Sequence, residues 1–276
     1  MRGPDILANT LSVGAMRGGK SPEAWQYHSR SDLHSKVACW TVLFDLLCQC
    51  AHFRARVEEG RVGFRIEHQI VGPINKTLDL VVTVADPKSA VGGRRTFADL
   101  VSTYGIVLEE PDADALEALP VLFEDARDEV REVSIALEAK ACMTKHSGSL
   151  PRLHAELLAT GYLAKLGVPN CISVAYTLIN VAKTFRAPPG NVVTKHVQPR
   201  DALAVVSMMS KALPWASVPG EQRYGYDAIG VTLIDCPNDG SPVTVVTAPP
   251  APGPSDPVHY GRMINAICSA FRGRRF

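Results

Sequence analysis

Residues 129–158 read EVREVSIALEAKACMTKHSGSLPRLHAELL. An apolar run from Val133 is interrupted near its end by Glu138 and Lys140, then gives way to a Gly/Ser turn and a leucine-rich stretch. The run has the length of a buried strand. Beyond it, Leu150, Leu153, Leu157, Leu158 and Leu166 recur at helical spacing. Ser149 is expected to cap that helix, with Pro151 in its first turn, where a missing N–H is harmless, and Gly167 at its end. Side chains alternate faces along a strand, so Glu138 and Lys140 project from the same side as Ser134 and Ala136. Small residues beside two opposite charges suit the floor of a cleft better than a core.

Working outward, the sequence alternates helical and strand patterns. Residues 31–58 predict a helix, with Ser31 as N-cap, Leu33, Val37, Trp40, Phe44 and Leu47 on the buried face, and Gly60 as terminator. Strands are expected at 62–71 and 77–84, joined by a turn at Pro73 and Asn75-Lys76, then helices over 92–108 and 112–130 with acidic exteriors. After the strand at 132–141 and the helix from Ser149, a strand is expected at 171–182. A basic Pro/Gly-rich loop (183–200), a helix (201–213), a hairpin around Pro237-Asn238-Asp239-Gly240, a short helix (258–271) and a basic tail follow. The expected class is α/β, with residues 1–30 an N-terminal arm and 31–276 one domain, its core 31–182 and a C-terminal elaboration 183–276.

Asp79 stands in the apolar strand TLDLVVTV, where an unpaired carboxylate is expensive and calls for a cation, a hydrogen-bond cage or water. On neighbouring strands, Asp79 and Glu138 could share a divalent ion through oxygen ligands, with Lys140 alongside to hold or help deprotonate a water. Asp79, then Glu138-Ala139-Lys140 at a strand end, then the helix from Leu150, resembles the PD-(D/E)XK nuclease superfamily over roughly residues 31–182. Leu78 stands where the motif has proline, and 59 residues separate Asp79 from Glu138. The resemblance implies a restriction-endonuclease-like mixed central sheet flanked by helices, Mg²⁺ as cofactor with Mn²⁺ able to substitute, and cleavage of DNA, as in type II restriction or defence nucleases. It implies Asp79 and Glu138 as metal ligands and Lys140 as the water-positioning base. Asp32, with Asp45 behind it, is the candidate for a further acid from the first helix. Because members often act in pairs, a homodimer is expected. Lys145, His146, Arg152 and His154 border the expected cleft, and Lys183, Arg186, Lys195, His196 and Arg200 lie in the basic loop. These are the candidate nucleic-acid contacts, with Glu156 a candidate hydrogen-bonding partner behind them.

Acid-x-Lys triplets are common; 28 acids and 10 lysines in 276 residues give about one by chance, and Asp86-Pro87-Lys88 is a second, in a turn context. The strand–strand–helix setting distinguishes Glu138-Ala139-Lys140. The alternative is a non-catalytic nucleic-acid-binding or scaffold protein of the same fold, with Glu138 and Lys140 merely paired.

The net charge of +1 hides an asymmetry. Residues 109–138 carry eleven acids and two bases, which leaves 27 bases against 17 acids elsewhere. Such a body could bind a polyanion, but from charge alone a solvated acidic helix face and scattered surface charge is the simpler account. Seven cysteines are expected as reduced, buried thiols in a cytoplasmic protein. Cys48-Gln49-Cys50 lacks zinc spacing, no His-Glu-x-x-His or Gly-x-Ser-x-Gly occurs, and MRGGK at 16–20 lacks the frame of a nucleotide loop. Tyr224, Tyr226 and Asp227 read as core with a hydrogen-bonded acid. No apolar run reaches membrane-spanning length, and the opening stretch has neither an uninterrupted apolar core nor a small-residue cleavage site.

Overall fold

The computed structural model describes residues 2–16, 24–71, 74–85, 95–127, 130, 132–188, 192–212 and 225–273. Its elements begin with α1 (Gly3–Ser12), α2 (Leu33–Gln49), α3 (Ala51–Glu58), β1 (Val62–Ile70) and β2 (Lys76–Val84). Then come α4 (Asp99–Tyr104), α5 (Glu110–Glu117), β3 (Val133–Cys142), α6 (His146–Gly167) and β4 (Ile172–Asn180). The chain finishes with β5 (Thr184–Ala187), β6 (Val192–Lys195), α7 (Arg200–Lys211), β7 (Ala228–Asp235), β8 (Thr244–Val246) and α8 (Tyr260–Arg272).

The strand on which the sequence reading turns, β3, lies inside a six-stranded sheet of order β1-β2-β3-β4-β7-β8, while β5 and β6 form a separate hairpin. The first three strands make an antiparallel meander, with Val62 opposite Val84 and Leu80 opposite Leu137. After it, α6 carries the chain across to β4, parallel to β3, and β7 is parallel to β4. Parallel strands covered on both faces need apolar side chains on both, which is why β4 is buried throughout. On one face Phe44 of α2, Leu137, Tyr176 and Ile267 of α8 share a core. On the other, Leu157 of α6 and Met209 of α7 pack with Ala175 and Ile229. The architecture is mixed α/β, a mixed sheet flanked by helices.

Several expectations are corrected. Where an irregular arm is expected, α1 buries Ile6, Leu7 and Leu11 in the core beside α2. Asp45 on α2 accepts from the Arg2 and Gly3 backbone N–H groups (both 3.0 Å), satisfying donors at the positive end of α1 that no side chain of its own caps. The expected helix 31–58 is broken at Cys50, which is extended at ψ 93°. There the Arg54 guanidinium donates to the Leu47 and Cys48 carbonyls that the break leaves free (3.2 and 2.6 Å). Cys50 and Cys268 of α8 form a disulfide, with Cα atoms 5.6 Å apart, so these two cysteines are not the reduced thiols expected; Cys39, Cys48, Cys142, Cys171 and Cys236 are free.

Of residues 92–108 only α4 is helical among those described, and the helix expected over 112–130 is α5 alone. Pro120 cannot continue a helix and disfavours helical geometry at Leu119. Beyond it Phe123 bridges to Thr96 and Glu124 to Phe64, which ties the acidic segment to the sheet edge. Helix α6 starts a turn earlier than Ser149, leaving Pro151 inside it. The basic loop contains the β5–β6 hairpin. Asp86-Pro87-Lys88, Pro73, Tyr224, most of MRGGK and the last three residues lie outside the described residues. Among the described residues no helix is long and apolar enough to cross a membrane.

Candidate active site

The site forms where β2 and β3 part company. Leu80 opposite Leu137 is the last pair of their ladder, so the Ala139 N–H has no backbone partner from β2. The Asp79 carboxylate takes that place, accepting from Ala139 N at 2.8 Å. One residue to either side of Ala139 stand Glu138 and Lys140. The Lys140 ammonium lies 2.8 Å from Glu138 Oε1, and Lys76, the first residue of β2, reaches the same oxygen at 2.9 Å. The Glu138 side chain is only 4% exposed, and its second oxygen, Oε2, is buried without a partner. Asp79, Glu138 and Lys140, assembled on paper from two segments far apart in sequence, therefore share one place at the carboxyl end of β3. In open α/β sheets, that end is where ligands bind.

Electrostatics follow from this crowding. Burial, and then the neighbouring Glu138 charge, push the Asp79 carboxyl up to about 6. Burial works to lower Lys140, but contact with Glu138, with Glu156 and Asp79 beyond it, holds the amine above the ordinary lysine value. Lys140 is thus an ammonium at neutral pH. As an ammonium it can orient a water or a phosphate oxygen. Glu156 on α6 lies 3.8 Å from Lys140 and accepts from Arg152 Nε at 2.6 Å. Burial acts to raise the Glu156 carboxyl, and Arg152 and the lysines outweigh it.

The constellation opens on a cleft of about 580 Å³, with Asp79, Lys140, Lys145, Arg152 and Glu156 in its lining. Asp32 lines it too, but 62% exposed and paired with Lys36 one turn on (2.8 Å), which lowers its carboxyl. Asp45 is excluded by its bond to α1. His34, tilted against Tyr27 with ring centres 4.9 Å apart, also faces the cleft, and burial depresses it to about 4, so it is neutral.

The nucleic-acid candidates divide. Lys145 and Arg152 are exposed at the cleft wall. His146 is 2% exposed, bonded through Nε2 to the Asn180 carbonyl (2.7 Å) and set edge-on to His196, so it cannot meet a surface ligand. His154 is half-buried. Lys183, Arg186, Lys195 and Arg200 are exposed, but Arg186 lines a separate cavity of about 440 Å³ with Trp25 and Asn238. The hairpin meets the cleft through Phe185, Ala187 and Pro188 instead. His196 is buried as its anchor, with ring nitrogens 2.7 Å from the Ala182 and Thr144 carbonyls. Asp227 is the hydrogen-bonded acid expected, paired with Lys165 at 2.5 Å and accepting from Ser173 N at 2.8 Å. The residue sequence reasoning missed is Lys76; its only signal was a basic residue three positions before the strand carboxylate.

Among the described residues no group of three or more His, Cys, Asp or Glu side chains is placed to hold a metal ion. Mg²⁺ does not need such a cage, because it usually keeps several waters and takes one or two carboxylates. Asp79 and Glu138 are two such carboxylates, and Glu138 Oε2 is buried without a hydrogen-bond partner. No protein-family model, curated protein or solved structure matches the chain. What defines its class is therefore its own geometry: a mixed α/β protein with a carboxylate–lysine cluster in a cleft at the end of a central strand.

Proposed function

We propose that the protein is a Mg²⁺-dependent endonuclease hydrolysing DNA phosphodiester bonds, with Mn²⁺ able to substitute, built on the PD-(D/E)XK plan. The observation that carries this reading is the Asp79 carboxylate bonded to the middle residue of Glu138-Ala139-Lys140. The order helix, antiparallel meander, crossover helix, parallel strand (α2, β1–β2–β3, α6, β4) supports it, being the order that the resemblance implies. Asp79 and Glu138 would hold the ion, which when bound neutralises phosphate charge and acidifies its water. Lys140, fixed by Glu138, orients the attacking water or a non-bridging phosphate oxygen. Lys145 and Arg152 at the cleft wall hold flanking phosphates by charge, without reading sequence. Cutting both strands of a duplex takes two such sites, so the proposal includes a homodimer. Placement in the cytoplasm is also part of it, and the Cys50–Cys268 bond weighs against that placement, since disulfides are rare there.

The test is nicking of supercoiled plasmid in Mg²⁺. Asp79→Ala and Lys140→Ala are each expected to lose at least about 100-fold in rate while melting cooperatively. Undiminished cutting by both folded variants would reject the assignment. One observation favours a second reading, a non-catalytic nucleic-acid-binding or scaffold protein: Lys76 and Lys140 both pair with Glu138 without any ion. That reading requires no rise in melting temperature in millimolar Mg²⁺, whereas an ion bound only by the native state must raise it.

A further inference from the structure

We infer that Lys76 is a positioning residue of this cluster, an ammonium that holds the Glu138 carboxylate for the ion and restricts the centre to one divalent cation. The inference rests on the nuclease reading and adds to it a residue and an ion count. Lys76 opens β2, its side chain 25% exposed, and its Nζ lies 2.9 Å from Glu138 Oε1. Lys140 approaches the same oxygen at 2.8 Å. Two ammonium groups on one oxygen fix the carboxylate in a single orientation, with Oε2 left buried and unpartnered.

Charge then decides how many ions fit. Asp79 and Glu138 carry two negative charges, and Lys76 and Lys140 two positive ones, so the cluster is balanced as it stands. One divalent ion would add two positive charges, which a phosphodiester and the hydroxide left once the attacking water gives its proton to solvent would cancel. A second ion would leave two positive charges uncompensated in a half-buried place, where unpaired charge is costly. Centres that hold two ions clamp both the attacking and the leaving oxygen, and they need further acids to do so. The other acids lining the cleft are already paired, Glu156 with Arg152 and Asp32 with Lys36. Lys76 thus supplies fixed positive charge that a second ion would otherwise bring.

The experiment measures Mn²⁺ binding to the full chain by electron paramagnetic resonance, alongside plasmid nicking. Wild type is expected to take up one Mn²⁺ per chain. Lys76→Met, which keeps the apolar stem, removes a cation competing for the ion's own ligand and should bind Mn²⁺ about tenfold tighter, yet nick at least about tenfold more slowly. Lys76→Arg restores the charge and should stay within about threefold of wild type in both measurements. A merely structural lysine would weaken binding and nicking together. Two Mn²⁺ per wild-type chain, or unchanged Mn²⁺ affinity in Lys76→Met, overturns the inference and leaves the nuclease reading standing. No Mn²⁺ bound by wild type or by either variant overturns both.

Discussion

Asp79 and Asp45 are the same residue type in apolar sequence, and their surroundings give them opposite duties. Asp45 is 1% exposed and binds the two N–H groups that open α1, so its charge stabilises a helix end. Asp45→Ala leaves both donors without their acceptor and is expected to cost about 2–3 kcal/mol, read as a shift of the urea midpoint at constant slope. Gly3 belongs to this arrangement, since a Cβ there would collide with the Tyr260 hydroxyl and stand 2.8 Å from Asp45 Oδ2. Asp79 is instead destabilised as a charge, with burial and Glu138 raising its carboxyl from 3.8 to about 6. Between those two values the folded chain holds a proton that the unfolded chain has released. The stabilisation is therefore complete at the acid end and is lost as pH rises through about 6. In the presence of a chelator, the stability difference between Asp79→Asn and wild type should move in the variant's favour from about pH 4.5 to about pH 7. A difference independent of pH would contradict the raised carboxyl.

At the scale of elements, strands were easier to read than helices. The four strands β1 to β4 fall within a residue or two of their expected bounds, because alternation or unbroken apolarity is a local signal that burial reinforces. The acidic stretch 112–130 satisfied helical spacing, but Pro120 and the bridges of Phe123 and Glu124 to the sheet edge won over that pattern. Similarly, nothing in the sequence around Cys50 breaks a helix; the break coincides with a bond to a residue 218 positions away. The basic segment 183–200 looked like a loop, yet His196 anchors a hairpin there, its buried ring set between the Ala182 and Thr144 carbonyls. His196→Ala should speed amide exchange across Thr184–Lys195 by at least about tenfold while protection of β3 and β4 is retained. Unchanged exchange in the hairpin would remove His196 as its anchor.

For the whole molecule, the C-terminal third completes the fold. Its β7 pairs with β4 to extend the sheet, and α8 lays Met263, Ile264 and Ile267 into the core that α1 and α2 share. The Cys50–Cys268 bond ties that last helix to the α2–α3 break and encloses most of the chain. Because the bond restricts the unfolded ensemble, Cys50→Ser with Cys268→Ser, or reduction of wild type, should lower stability by about 2–5 kcal/mol in urea denaturation. Reduction without any change in the midpoint would show that the bond contributes nothing to stability in solution.

Pattern along the chain was enough for the α/β class, the succession of strands and helix around Glu138-Ala139-Lys140, and the choice of Asp79 as the carboxylate in need of a partner. These depend on patterns of two to four residues, which are local. Only the tertiary structure decided which charges meet. It placed Lys76 on Glu138, gave Asp45 to α1 and buried His146. The reason is that an ion pair or a cap is set by distances between side chains on separate elements, and spacing along the chain carries no record of those distances.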